Sequence, residues 1–380
     1  MINGPEIPLL ENLKKTSRIA CSNILKIAPK EQILIITNPA ARTQSQDIDA
    51  EIIARSLYEA ALESGASPVL IFQPVKTQFD FTEPVVIAAF ESRPEVVISI
   101  STEKLGKDRK GISNPYKYGE DEYDHIFHLL LYGEKSCRSF WSPGTSLESF
   151  TRTVPIDYTA LCRHCNAVST ILSAAEWVSV TAPGGTDIMV GLGKRTAKAD
   201  DGDFSRPGTG GNLPAGESFI SPANGTARGS IVFDGSISLN MGTVIIKEPI
   251  ICRFEDGFIT DISGGEEAQA LEETISKAQK DALDYEKEGR LPKGNGVSYA
   301  RNARNLGELG IGLNPQARIT GSMLEDEKAF RTCHFAIGHN YDNDAPALIH
   351  LDGLVKEPTI TAHMADGSTV VIEQNGELIL

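Results

Sequence analysis

The chain predicts an α/β protein of two domains. A Rossmann-like parallel sheet with crossover helices occupies residues 1–178, and an α+β domain occupies residues 179–380. Three observations carry this reading. The 380 residues exceed what one hydrophobic core usually serves. Short apolar runs alternate with helical periods through the first half, as parallel strands joined by helices require. Beyond Val178 the pattern changes to strands, glycine turns and one long helix.

Taken in order, "QILIIT" (Gln32 to Thr37) reads as a buried strand, and "DIDAEIIARSLYEAALESGA" has the 3.6-residue period and closes on Gly65. "SPVLIFQP" is the next strand and "EPVVIAAFESRP" a helix that ends before Pro94, since a residue preceding proline is pushed out of the helical region. "EVVISIS" is the third strand. Periodicity is lost and charge rises from Glu103 to Asp121, so this stretch reads as a loop. "DEYDHIFHLLLYGEKSCRSFW" and "DYTALCRHCNAVSTILSAAEW" read as helices, the second with Asp157 as N-cap. In the second half, "GGTD" before "IMVGL" marks a hairpin, and Lys198 to Pro214 is a long polar, glycine-rich loop of the kind that is often functional. "GEEAQALEETISKAQKDALDYEKEG" is the long helix.

Composition narrows the partners. Fifty-one acidic against 36 basic residues give a net charge of −15, which disfavours nucleic acid and anionic membrane surfaces. A small molecule is the expected partner. No apolar run reaches a membrane span, and the N-terminus has no leader pattern. Six cysteines without regular spacing fit a reducing compartment, so a cytoplasmic protein without disulfides is expected.

The chemistry concentrates near the C-terminus. "RTCHFAIGHNYDNDAPALIHLDGLV" holds three of the seven histidines, two of them inside strand-like runs. His350 and Asp352 stand two apart in "ALIHLDG", so on a strand both leave one face. His334 in "CHFAIG" can bring a third donor from a neighbouring strand. Glu308, set among glycines in "NLGELGIGLNP", and Glu217 in "NLPAGESFISP" complete a candidate set of two Glu, two His and one Asp. Such donors suit zinc, cobalt, manganese or ferrous iron, and suffice for two ions about 3.5–4 Å apart.

Over most of its length the chain resembles the M29 family of metallopeptidases, the aminopeptidase T and aminopeptidase S group. The shared stretches include "ILKIAPKEQILIIT", "FWSPGTSLESFTRTVPIDYTAL", "VTAPGGTDIMVGL" and "NLPAGESFISP". The most specific is "CHFAIGHNY" followed by "HLD". The resemblance implies metal ligands at Glu217, Glu308, His334, His350 and Asp352, a site tyrosine at Tyr341, and a homodimer. It implies a metal-dependent aminopeptidase that releases N-terminal residues from short peptides. Two divalent ions, zinc or cobalt with manganese or iron as alternatives, would activate a water, with Glu308 and Tyr341 as catalytic residues. One departure is the short span of 16 residues from His334 to His350. A distant branch resembles 2,5-dihydroxypyridine dioxygenase, in which two histidines and one carboxylate hold a single ferrous ion. That dioxygenase, and a non-catalytic metal-binding relative, are the alternatives; retention of both Glu217 and Glu308 favours the two-ion hydrolase.

Other features read as structural. Cys162 and Cys165 have CxxC spacing without a second pair, and His125 and His128 share a helix face as packing residues. "GTGGN" lacks the strand-glycine-helix order of a nucleotide loop. Asp187 can support the site from a distance, "LEDEK" (Leu324 to Lys328) reads as an exposed turn, and His339 and His363 have no evident partner.

Overall fold

The computed structural model describes residues 6–39, 45–77 and 80–380; the first five residues of the stretch read for a leader lie outside it. By packing, the chain forms two compact units, residues 1–162 with 202–215, and residues 163–201 with 216–380. The sequence suggests a single cut near Val178. Strand Ala175–Thr181 is hydrogen-bonded on both edges, to Asp187–Gly191 and to Thr359–Met364, and so belongs to the second unit throughout.

In the first unit the three apolar runs form parallel strands, Gln32–Thr37 between Ser67–Phe72 and Val96–Ile100. Arg138–Trp141 and the short Gly210–Asn212 extend the sheet, also in parallel. Gly65 takes φ +78° where helix Ser45–Glu63 turns into the next strand, a conformation that costs glycine little. The continuous helix expected over Asp121–Trp141 is not formed. That stretch holds a strand (Asp121–Tyr123), a helical turn with a π segment (Ile126–Gly133) and the strand Arg138–Trp141. Its apolar residues Phe127, Leu130 and Leu131 pack with Leu34, Val86, Phe90 and Val97, so tertiary burial overrides the local period. The Glu103–Asp121 loop likewise contains a short helix, Arg109–Ser113, capped by Asp108. Asp157 caps helix Tyr158–Ala174 as expected, accepting from the Thr159 and Ala160 amides at 3.0 and 3.1 Å.

The second unit is built on two antiparallel sheets. The eight-stranded sheet contains the Ala175–Thr181 and Asp187–Gly191 hairpin, with its turn at Gly185. The seven-stranded sheet runs Gly242–Ile245, Ser236–Leu239, His350–Lys356, Thr332–Gly338, Leu306–Gly312, Glu217–Ile220 and Lys198–Asp200. Its central strands are buried on both faces, which explains their unbroken apolar character. The loop expected over Lys198 to Pro214 supplies an edge strand to each unit, Lys198–Asp200 here and Gly210–Asn212 in the first. Among the described residues no helix is long and apolar enough to cross a membrane.

Candidate metal centre

Three adjacent strands define the centre by register alone. Thr332–Gly338 sets His334 opposite Gly310 and Ala336 opposite Glu308 on one side. On the other side Ala336 faces Asp352 and Gly338 faces His350. Directly opposed residues of an antiparallel pair share a sheet face, so Glu308, His334, His350 and Asp352 project together. The next strand places Glu217 opposite Gly312, and the edge strand places Asp200 opposite Glu217, on that same face.

Small residues make the space. A Cβ on Gly310 would stand 2.0 Å from His334 Nε2, so a glycine there is a steric requirement of the imidazole. A β-bulge between Leu306 and Glu308 breaks the ladder beside the centre and re-aims the strand at that carboxylate.

The donor atoms converge. His334 Nε2 lies 3.2 Å from Glu308 Oε1 and 3.3 Å from Glu217 Oε2. His350 Nε2 lies 3.2 Å from Asp352 Oδ1 and 3.5 Å from Glu308 Oε2. His350 Nδ1 donates to the His339 carbonyl at 2.8 Å, which orients the ring and leaves Nε2 to face the carboxylates. In the neutral ring that nitrogen is a lone pair aimed at oxygen lone pairs, so the arrangement requires a proton or a cation between them.

Without metal, protons meet that requirement. Burial opposes charge on both rings, but the surrounding carboxylates outweigh it, raising His334 to about 9 and His350 to about 10. The carboxylates diverge: burial holds Glu308 above its ordinary range, whereas at Asp352 the penalty of burial is outweighed by the charge of His350, which keeps it ionised.

These residues fit a metal ion. Glu217 Oε2, Glu308 Oε2 and Asp352 Oδ1 are buried without a hydrogen-bond partner, although each lies within ion-pair distance of an imidazole. Orphaned buried oxygens are costly, and a divalent cation satisfies several at once. Glu217, Glu308 and His334 each offer an atom within 4.8 Å of the others.

Three neighbours of the centre are not legible in the sequence as site residues. "LEDEK" is no exposed turn: Glu325, Asp326 and Lys328 are buried, Lys328 completely. The Lys328 ammonium sits 2.7 Å from Glu217 Oε1 and 3.9 Å from Asp200 Oδ2, and contacts the Glu327 carboxylate. Burial opposes its charge, but these acids hold its pKa well above the ordinary lysine value. Burial also pushes Glu327 up to about 8 despite Lys328 beside it. A run of alternating charge normally signals a solvated face, and nothing local marked Asp200, Glu327 or Lys328 as exceptions.

Tyr341 is found at the rim. It is 47% exposed, its ring 5.0 Å from that of His350 and 5.5 Å from that of Phe219, with the Lys198 ammonium 5.5 Å from its centroid. The loop carrying it is clasped by Arg195, whose guanidinium reaches Asp342 at 3.0 Å and Asp344 at 2.7 Å. Asp187 lies in the other sheet and does not join the centre. His363, without evident partner in sequence, stacks on Trp177 at 3.4 Å and shares a hydrogen bond with Ser179. His339 contributes its carbonyl rather than its ring. None of the six cysteines is in a disulfide, and Cys162 and Cys165 lie within a helix.

Two imidazoles and a group of carboxylates on one buried sheet face form a site capable of holding a metal ion. The chain belongs to the NicX: 2,5-dihydroxypyridine 5,6-dioxygenase family, whose model matches residues 145–371, more than half of its length. A 2,5-dihydroxypyridine 5,6-dioxygenase of Pseudomonas putida is 32% identical over 165 residues, 43% of this chain and 41% of that relative, so less than half of the relative is spanned. The solved 2,5-dihydroxypyridine dioxygenase of Pseudomonas putida superposes with a TM-score of 0.67 at 18% identity, covering 97% of both chains. AmpT from Thermus thermophilus gives 0.62 at 18% identity, covering 97% of this chain and 99% of that one. The likeness to AmpT supports the M29-like fold alone. The aminopeptidase expectation, with its hydrolase chemistry and peptide substrate, is overturned by the family match and the 32%-identical relative. Retention of Glu217 and Glu308 does not by itself specify a hydrolase, since one oxygen of Glu217 is paired with the buried Lys328.

Proposed function

We propose that the protein is a ring-cleaving dioxygenase that uses one ferrous ion and acts on a dihydroxylated pyridine or a closely related ring. The observation that carries this reading is the family match over residues 145–371, which includes all five converging side chains. His334, His350 and Asp352 would hold the ion, two histidines and one carboxylate in the pattern suited to non-haem iron. Asp352 is assigned as the ligand because the charge of His350 keeps it ionised, whereas burial raises Glu308 above its ordinary range, toward that of a group that accepts a proton in a reaction.

A ferrous ion bound there supplies the site at which dioxygen and the hydroxylated ring meet and exchange electrons. The chain's own residues do the rest. The His339 carbonyl fixes the His350 ring so that its free nitrogen points inward. Glu308, within 3.5 Å of both imidazoles, is placed to take a hydroxyl proton from the ring substrate and return it to the opened product. Tyr341 and Phe219, with rings 5.5 Å apart, offer apolar faces at the rim against which a planar ring can pack.

The test is oxygen consumption by the iron-reconstituted protein with 2,5-dihydroxypyridine, followed by mass analysis of the product formed under labelled dioxygen. We expect both labelled atoms in one ring-opened product and loss of turnover in Glu308→Gln. No oxygen uptake by protein shown to carry iron rejects the reading. We further infer a small-molecule partner, a cytosolic setting consistent with six cysteines outside disulfides, and a homodimer, the last from the family resemblance and open to sedimentation analysis.

A further inference from the structure

The chemistry above leaves Lys328, Glu327 and Asp200 without a role. The Lys328 ammonium is completely buried and has three carboxylates around it, Glu217, Glu327 and Asp200. Its N–H groups donate to Glu217 and Glu327, and Asp200 lies within ion-pair distance. Glu217 joins this group to the metal centre. Its Oε1 lies 2.7 Å from the ammonium, while its Oε2 faces His334 Nε2 at 3.3 Å.

A carboxylate that presents one oxygen to each of two cations is the bridging ligand of a two-ion centre. Here one of the cations is a side chain. We propose that Lys328 stands in for a second metal ion, restricting this centre to one divalent cation, and that Glu217, Glu327 and Asp200 become a second cation site once the ammonium is removed. A divalent ion placed beside a fixed ammonium on a shared carboxylate meets repulsion in a buried, weakly screened setting. Lys328 is therefore a positioning residue that sets ion count and holds Glu217. The inference rests on the metal-centre reading above, but its test is separable from turnover.

Chelator-stripped protein is titrated with Mn²⁺ and the bound metal counted by elemental analysis, with Mn²⁺ electron paramagnetic resonance reporting whether the ions are isolated or coupled. The wild type and Lys328→Arg are expected to bind one isolated ion per chain. Lys328→Ala and Lys328→Met are expected to bind two, with the signal attenuated by coupling between neighbours. Two tight ions in the wild type, or a folded neutral variant that stops at one ion or binds none, overturns the proposal. Should neither neutral variant fold alone, recovery of folding with Mn²⁺ during refolding supports it and failure to recover overturns it. Oxygen uptake with ferrous iron is scored independently. Turnover by a wild type whose neutral variants stop at one ion rejects the lysine inference alone, and the expected ion counts without turnover reject only the dioxygenase reading.

Discussion

Gly310 shows how narrowly the centre is specified at the level of single residues. Its absent side chain is the space that the His334 imidazole occupies, with 2.0 Å between His334 Nε2 and any Cβ placed there. We expect Gly310→Ala to displace the ring and weaken metal binding by roughly 10–100-fold, the range seen when groups supporting a ligand are altered. Competition against a chelator measures this, and an unchanged affinity would show that the ring tolerates displacement. The same site shows what single residues revealed in sequence and what they did not. His350 and Asp352, two apart in an apolar run, were legible because strand geometry puts both on one face. Glu217 and Glu308 stood out as acids in apolar surroundings. Lys328 did not, because a lysine among acids resembles any solvated turn until its burial is seen.

At the scale of elements, the loop from His339 to Ile349 joins two strands of the centre and carries Tyr341 to its rim. It is shaped by one partner far away in the chain, Arg195 on Asp342 and Asp344, and by one local bond, Asn340 Nδ2 donating to Asp344 Oδ1 at 2.6 Å. The two acids are about half exposed, so each ion pair is worth only about 0.2–1 kcal/mol. Arg195→Ala is accordingly expected to lower the melting temperature slightly while raising KM more than it lowers kcat. A large stability loss with unchanged KM would place Arg195 in the folding of the unit instead. Strands Gln32–Thr37, Ser67–Phe72 and Val96–Ile100 were readable because a short, mostly apolar run rich in Val and Ile between turn signals has few other uses. The segment from Asp121 to Trp141 was not. Its leucines fit a helical period, yet Arg138–Trp141 pairs beside Val96–Ile100, a partner that no local window contains.

For the molecule as a whole, the centre couples stability to pH. His334 and His350 are raised from 6.5 to about 9 and about 10 in the folded, metal-free chain. Their contribution is complete below the unfolded value and is lost as pH climbs through the folded ones. Glu327, raised from 4.5 to about 8, acts in the same direction, since a carboxyl that prefers its proton in the fold loses stability as it ionises. The melting temperature of chelator-treated protein is therefore expected to fall between pH 6.5 and pH 10. Divalent metal should flatten that fall, because the imidazoles then hold an ion instead of protons. A metal-free curve that is level or rising across this range would contradict the geometry of the pair.

The sequence by itself determined the α/β class, the apolar strands and the five candidate donors, because periodicity and the cost of burying charge are local properties. Tertiary structure alone decided that Glu217, Glu308, His334, His350 and Asp352 share one face, since register across four strands is set by pairing. It also decided that a buried lysine occupies the second oxygen of Glu217, because only packing removes a lysine from water and surrounds it with acids.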